Sequence, residues 1–456
     1  MLSSKICHRQ LRALTSLATT VSQIDNTSDF LAHVPYRKHP GILNMKVVRL
    51  PKEVQDAAKV LIQGSTIRDL QGHINSLNNY LWSRKRPAED KDLRVRAEEL
   101  ERKFCASVGG DAETESFQQQ EKLKNRVLNT LRKNTYHWQP LSYTEELGLV
   151  YFAARFDGGY AAVTRAFKEI FQRCPEFKPQ TLLDFGSGTG SVTWAASNLW
   201  GKSLAEYMCV DNAAPMNKLS ELVLKGGSDY GEMHISGVYF RQFLPLSPKV
   251  QYDLVVSAFS LNDLPSLSER EKIIHALWRK TGGFLVLVEN GTKEGHQLLM
   301  EARDIVLQKE DKEIWDHRPP HVFAPCPHQM PCPKLSERLH VPCNFNQKYQ
   351  TLPLSWNPHE RWEKFSFLII SRGSVGGGDG HWPRVISHVL SRPRHVHCHM
   401  CCADGELKHE VITARRHSRD LYRCARNTEW GDRLPILNST AESKIEEHEN
   451  EDISPA

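Results

Sequence analysis

Three sets of residues in this 456-residue chain have the types and spacing to do chemistry. The first is Asp184-Phe-Gly186-Ser-Gly188-Thr-Gly190, with Asp211 following 21 residues after Gly190. Glycines at alternate positions let a backbone turn sharply and approach a ligand without a Cβ collision. A carboxylate placed like Asp211 can accept both ribose hydroxyls of a nucleoside. On spacing alone a phosphate or dinucleotide loop stays open as the alternative. The second set is Cys326-Pro-x4-Cys332-Pro-x9-Cys343, with Cys398-His-Met-Cys401-Cys402 beginning 55 residues later. Four converging thiolates suit zinc or an iron–sulfur cluster, and spacing does not choose between them. Proline after a ligand cysteine favours iron–sulfur, while zinc and free buried thiols remain alternatives. The third set is basic. Residues 384–426 carry nine Lys or Arg against four Asp or Glu, with histidines interspersed. Arg415, Arg416 and Arg419 form the densest patch, with Tyr422 close by. Such residues can neutralise phosphates and stack on unpaired bases, as RNA binding requires; a merely solvated face is the bland alternative.

These groups need elements to hold them. Thr181-Leu-Leu-Asp-Phe, Glu206-Tyr-Met-Cys-Val, Tyr252-Asp-Leu-Val-Val-Ser-Ala and Gly283-Phe-Leu-Val-Leu-Val-Glu are short apolar runs separated by helix-length segments. That pattern predicts parallel strands buried on both faces, hence a doubly wound α/β sheet over about 181–371, with Phe365-Ser-Phe-Leu-Ile-Ile-Ser as a further strand. The glycine loop then sits between a strand and a helix start at Ser191. Residues 25–150 read as a helical N-terminal region and 151–372 as the cofactor domain. A helix pair over Glu145 to Phe171 is broken at Asp157-Gly158-Gly159, and Cys105 to Glu115 is a flexible connection. The Pro- and Cys-rich stretch 319–353 shows no helical or strand period and reads as an insertion ordered by something other than apolar packing. Residues 382–437 read as a small β-ribbon, turning at Ala403-Asp404-Gly405 and leading into a helix, that completes the metal site. The acidic tail 438–456 reads as disordered.

With 40% apolar and 25% charged residues the composition is that of an ordinary soluble chain, and no run approaches a membrane span. The formal charge of +5 is small for this length, so its placement matters more than its size. Residues 1–24 hold Lys5, Arg9 and Arg12, are rich in Ser and Thr, and precede the first acid, Asp25. That is a mitochondrial transit-peptide composition, and it predicts a matrix protein. Eleven cysteines in a chain without a secretory signal do not read as a disulfide framework.

The Asp-x-Gly-x-Gly-x-Gly form resembles motif I of class I S-adenosylmethionine-dependent methyltransferases more than the dinucleotide fingerprint. On that resemblance Asp184, Gly186, Gly188, Gly190 and Asp211 hold S-adenosylmethionine in a Rossmann-like sheet, and Phe259 or its neighbours border the adenine or the methyl group. A wider combination is present. Ala153-Ala-Arg155-Phe-Asp-Gly-Gly-Tyr160, the glycine loop, Cys326-Pro-His-Gln-Met-Pro-Cys332-Pro, His395-Val-His-Cys398 and Tyr422-Arg-Cys-Ala-Arg-Asn-Thr-Glu-Trp-Gly-Asp432 together resemble a family of mitochondrial small-ribosomal-subunit assembly factors with a methyltransferase-type fold. The resemblance spans nearly the whole chain. It implies a [4Fe–4S] cluster on Cys326, Cys332, Cys343 and Cys401, with Cys398 the nearest competitor. It also implies binding to the small subunit's ribosomal RNA and proteins in the matrix, a role in mitochondrial translation, and a protein monomeric when free. No catalytic set accompanies it. Ser257-Ala-Phe-Ser260 stands where an amino-methyltransferase would carry Asn or Asp followed by Pro-Pro and an aromatic. Cys174 and Cys209 lack the setting of a nucleophile. The reading is therefore a cofactor-binding assembly factor without methyl transfer, with an active ribosomal RNA methyltransferase acting by proximity as the alternative.

Overall fold

Valine, leucine and isoleucine runs buried on both faces build the centre of the molecule in the computed structural model. It describes residues 21–437 apart from 109–116, 137, 246, 248, 309–314, 337–340 and 376–380. Most of the expected leader, the Gly109-Gly110 connection and the acidic tail therefore lie outside the described residues.

The N-terminal region is helical as expected, with α1 (Phe30–His33), α2 (Lys52–Gln63), α3 (Leu70–Ser83), α4 (Asp90–Val108) and α5 (Phe117–Asn134). Helix α6 (Glu145–Arg173) follows; the Thr144 hydroxyl caps it by accepting from Leu147 N at 3.2 Å. It is one unbroken helix, which corrects the expected break at Asp157-Gly158-Gly159 and carries α6 across the expected boundary at 150. The glycines serve packing instead. A Cβ on Gly158 would stand 2.4 Å from Glu363 Oε2, and the Asp157 carboxylate accepts from Leu352 N at 3.0 Å.

The sheet then winds through β1 (Thr181–Phe185), α7 (Ser191–Trp200), β2 (Glu206–Val210), α8 (Ala214–Leu224), β3 (Val238–Arg241), β4 (Tyr252–Ala258), α9 (Leu267–Arg279), β5 (Thr281–Asn290) and α10 (Lys293–Gln308). It ends with β6 (Pro320–Ala324), α11 (Pro333–Ser336), β7 (Phe345–Gln350) and β8 (Glu360–Arg372). Strand order is β3-β2-β1-β4-β5-β8-β6, with β7 also on β8. Strands β1 to β5 pair in parallel, and β8 runs antiparallel to its neighbours. The order reverses between β1 and β4, and a crevice opens at the strand C-termini there. Alternation divides the core. Leu254 and Val256 of β4 face α6 and α7, while Val255 faces α9 and α10.

The stretch 319–353 is not the aperiodic insertion expected. It supplies β6, an edge strand of the main sheet, and β7, and it buries Val322, Phe323, Phe345, Tyr349 and Leu352. Apolar packing and pairing to β8 order much of it; proline is tolerated because Pro320 opens an edge strand.

The C-terminal module is the ribbon-then-helix foreseen, with β9 (Arg384–Val385), β10 (Leu390–Ser391), β11 (Val396–Cys401), β12 (Leu407–Ile412) and α12 (Arg419–Asn427). Its small core holds Val385, Val396, Cys398, Met400, Leu421 and Cys424, closed by Phe30 of α1. The start of the described chain joins it. Ile24 bridges Ile436, Asp25 N donates to Pro435 O at 3.1 Å, and Trp382 Nε1 donates to the Asp25 carboxylate at 2.8 Å. Among the described residues no helix is long and apolar enough to cross a membrane.

Candidate functional site

At the crevice, Gly186, Gly188 and Gly190 adopt φ of 69°, 51° and 87°, values that favour glycine. A Cβ on Gly186 would meet Ser260 Oγ at 2.1 Å. The loop closes on Asp211, whose carboxylate accepts from Gly188 N and Ala213 N, each at 2.9 Å. Burial raises the Asp211 carboxyl above its ordinary value although both backbone donors oppose this. Asp184 is fully buried and neither of its oxygens has a hydrogen-bond partner. Burial, then the charge of Asp211, raises its carboxyl well above the usual range. An orphaned carboxyl beside a glycine cradle fits a ligand that brings its own donor. All five residues expected at the cofactor site thus come together.

The side of the crevice past β4 is covered. Phe259, expected at the methyl or adenine, has φ of 59°, a strained value for an aromatic residue. The Arg155 guanidinium lies 5.3 Å from its ring and pairs with Glu363 at 2.9 Å. Arg84, at the end of α3, forms a buried ion pair with Asp263 and donates to Gln139 O at 3.2 Å. Leu81, Tyr143 and Tyr151 join these residues around a cavity of about 20 Å³, too small for a nucleobase. Glu289 beneath it is pushed up to about 8 by burial, against the Leu261 N–H that its carboxyl accepts at 2.9 Å.

The four cysteines Cys326, Cys332, Cys343 and Cys401 converge from the ends of β6, α11, β7 and β11. Burial pushes the Cys401 thiol far up, and the neighbouring thiols of Cys326, Cys343 and Cys332 push it further. Cys326 is raised to about 11 by burial and then Cys332, with Arg303 and Arg384 opposing. Cys398 points elsewhere. It alternates with Val396 and Met400 on the inner face of β11, and burial, then Glu410, sets its shift. Two histidines that sequence reasoning missed touch the thiols. His328 Nε2 stands 3.3 Å from Cys401 Sγ, and His296 Nε2 stands 3.6 Å from Cys332 Sγ. His328 Nδ1 lies 3.1 Å from Met330 O. A carbonyl only accepts, so Nδ1 carries the proton of the neutral ring and Nε2 takes the thiol's. Among the described residues no group of three or more His, Cys, Asp or Glu is arranged to hold a metal ion.

Arg415 and Arg416 are exposed in the turn between β12 and α12, and Arg419 is exposed at the first position of α12. The acids near them are engaged, Asp420 by the Tyr36 hydroxyl at 2.7 Å and Glu410 by His417 at 3.2 Å. Tyr422 is half-buried; its hydroxyl donates to Pro393 O at 3.1 Å and accepts from Arg426 at 3.0 Å. In the basic run Arg84 to Arg86 both arginines are committed within the fold, Arg86 bonding Glu294 at 3.1 Å and Gln297 at 3.0 Å, while Lys85 is exposed.

Residues 145–435 match the family model described as mitochondrial small ribosomal subunit Rsm22. The chain is 56% identical to the human ribosome assembly protein METTL17, mitochondrial, over 95% of this chain and 92% of that one. It is 23% identical to the mitochondrial ribosome assembly protein RSM22 of Saccharomyces cerevisiae, over 65% of this chain and 67% of that one. Among solved structures, the Synechocystis magnesium protoporphyrin IX methyltransferase with bound SAM is similar at 12% identity and a TM-score of 0.28, over 58% of this chain and 100% of that one. The matched span runs from the first turn of α6 to the closing residues of the C-terminal module and takes in the glycine loop, all four cysteines and the basic turn. The chain is a member of the mitochondrial small ribosomal subunit Rsm22 family.

Proposed function

We propose that this protein is a matrix assembly factor of the mitochondrial small ribosomal subunit, required for mitochondrial translation and monomeric when free. It binds the subunit's ribosomal RNA and proteins, keeps S-adenosylmethionine in the glycine-loop crevice, and carries a [4Fe–4S] cluster on Cys326, Cys332, Cys343 and Cys401. It does not transfer methyl groups.

The carrying observation is the contrast between the two ends of the crevice. The cofactor end keeps its cradle, with Asp184 unpartnered and the glycines in left-handed conformations. The acceptor end is filled by Arg84, Tyr143, Tyr151 and Arg155 from the N-terminal region and α6. A base that cannot approach cannot be methylated by proximity. Asp211 would accept the ribose hydroxyls, and Asp184 would face a donor from the cofactor.

The thiol chemistry supports the cluster reading. Four thiols near enough to oppose one another's ionisation, with Arg303 and Arg384 favouring the thiolate at Cys326, suit a polynuclear anion spread over several corners. When bound, such a cluster supplies thiolate-to-iron bonds that tie the β6–β7 segment to β11. They would add to the existing ties between that segment and the C-terminal module, Arg384 to Pro325 O and His328 to Cys401.

The test combines two measurements on anaerobically purified protein. Brown absorbance that disappears in Cys326→Ser, together with no labelled methyl on small-subunit RNA precursors, is expected. Methyl transfer at a defined nucleotide would overturn the non-catalytic reading in favour of an active enzyme, which the intact cofactor cradle would then explain.

A further inference from the structure

A second cleft lies on the surface, away from both the crevice and the cysteine centre. Its volume is about 410 Å³, within the roughly 300–1,000 Å³ of small-ligand clefts. Trp362 of β8, His388, Trp430 and Arg426 form its walls, and Asn44 and Glu429 lie at its floor. Trp362 is 62% exposed, an unusual place for the largest side chain. Trp430 packs edge-on against His388, centroids 4.9 Å apart at 76°, and its buried indole Nε1 has no hydrogen-bond partner. Two large aromatic walls make a place for a flat ring to stack.

The surroundings say which flat ring. Arg426 stands at the cleft's rim on α12, two turns beyond Arg419, about 10 Å along the axis. Arg419 in turn adjoins Arg415 and Arg416, and Arg392 and Arg394 are exposed on the other side. Glu429 keeps its charge, but the Asn44 amide donates to it and turns one carboxylate oxygen toward that side chain. A cationic track therefore leads to an aromatic slot, the complement of a phosphate backbone carrying an unstacked base. A protein segment would use the aromatic walls but not the track.

We infer that this cleft, between β8, the β9–β10 loop and the end of α12, is a stacking pocket for an unpaired nucleobase of single-stranded RNA. The inference rests on the ribosomal RNA reading and gives that contact a second, non-ionic component.

The test uses the full chain and Trp362→Ala, whose exposed ring can be cut away without opening the core. Binding is followed by anisotropy on a 12-nucleotide single strand from small-subunit RNA and on the same sequence as a duplex. The variant should bind the single strand about tenfold more weakly with an unchanged salt slope, and the duplex as wild type does. Trp362→Phe should restore most of the loss. Wild-type affinity in Trp362→Ala, in a protein that otherwise binds RNA, would overturn the pocket and leave the ribosomal RNA reading standing. No RNA binding by wild-type protein would sink both. Free AMP displacing the oligonucleotide would make the slot a mononucleotide site, and loss of ribosomal-protein binding alone in Trp362→Ala would make it a protein dock. Either result overturns the RNA assignment.

Discussion

Arg384 of β9 and Glu169 of α6 form a buried, two-pronged ion pair, with Nη1 to Oε1 at 2.6 Å and Nη2 to Oε2 at 3.0 Å. Arg384 also donates to Gly431 O at 2.7 Å and to Pro325 O, one residue before Cys326, at 3.0 Å. One guanidinium thus joins the C-terminal module, the long helix and the peptide leading into the cysteine centre. Arg165 adds a second contact to Glu169 at 3.1 Å. Burial alone would raise the Glu169 carboxyl, but Arg384, then Arg165 and Arg173, hold it at about 2.

Glu169→Gln should therefore destabilise the protein by about 3–5 kcal/mol, since it leaves buried guanidinium groups without their anion. The pH dependence has a definite sign. A carboxyl lowered on folding contributes stability that is complete above its ordinary value of 4.5 and is lost as pH falls toward about 2. Thermal melts from pH 6 to pH 2 should fall steeply in wild type and more shallowly in the variant; parallel curves would show that the pair does not control acid stability.

Glu289 has the opposite sign. Its folded value of about 8 lies above the ordinary 4.5, so the unfolded chain ionises first and stability declines as pH rises between those values. Glu289→Gln keeps the acceptor for Leu261 N and removes the titration. It should raise stability at pH 8 by ~1–3 kcal/mol and change little at pH 5. Equal melting shifts at both pH values would point to packing instead.

Asp211→Ala should weaken S-adenosylmethionine binding by about 1–3 kcal/mol through loss of a charged acceptor. It also frees Gly188 N and Ala213 N, so the loop should loosen. Calorimetry giving wild-type affinity would remove Asp211 from the site.

Cys401→Ser should abolish the brown absorbance of anaerobically reconstituted protein, while Cys398→Ser should keep it and cost only core packing. Loss in Cys398→Ser with retention in Cys401→Ser would reverse the assignment. Colourless wild-type protein holding one equivalent of zinc would replace iron altogether.

Changing Arg415, Arg416 and Arg419 together to Ala should weaken RNA binding about equally for all sequences and lower the salt slope by up to ~0.7 per lost contact. Their exposure predicts an unaltered melting temperature. An unchanged salt slope would leave the turn a solvated face, and Arg84 and Arg86 could not replace it, because both are paired within the fold.

The parallel strands could be read in advance because burial on both faces leaves unbroken apolar runs, and the loop because only glycine accepts its backbone angles without strain. Local propensity misled where tertiary packing overrode it. Gly158 and Gly159 lower helix propensity by about 1 kcal/mol each, yet α6 continues through both, and at Gly158 the missing side chain leaves the space that Glu363 fills. Strand β6 was hidden by Pro319, Pro320 and Pro325, although an edge position asks little of the first residue's N–H. The side of β11 on which Cys398 lies was available in the alternation Val396, Cys398, Met400, which marks the inner face and leaves Cys401 on the other. Nothing local reports Glu169 and Arg384, 215 residues apart, nor His328 beside Cys401; such pairs exist only once the sheet has closed.

The bridge from Ile24 to Ile436 bears on how this chain is made. Protein synthesis delivers Ile436 long after Ile24, so the first described residues wait for their pairing partner. Closing a flexible loop of that length costs roughly 5 kcal/mol of chain entropy, repaid only when the module core forms around Phe30. Until then the apolar face of α1 is uncovered and open to chaperones and proteases.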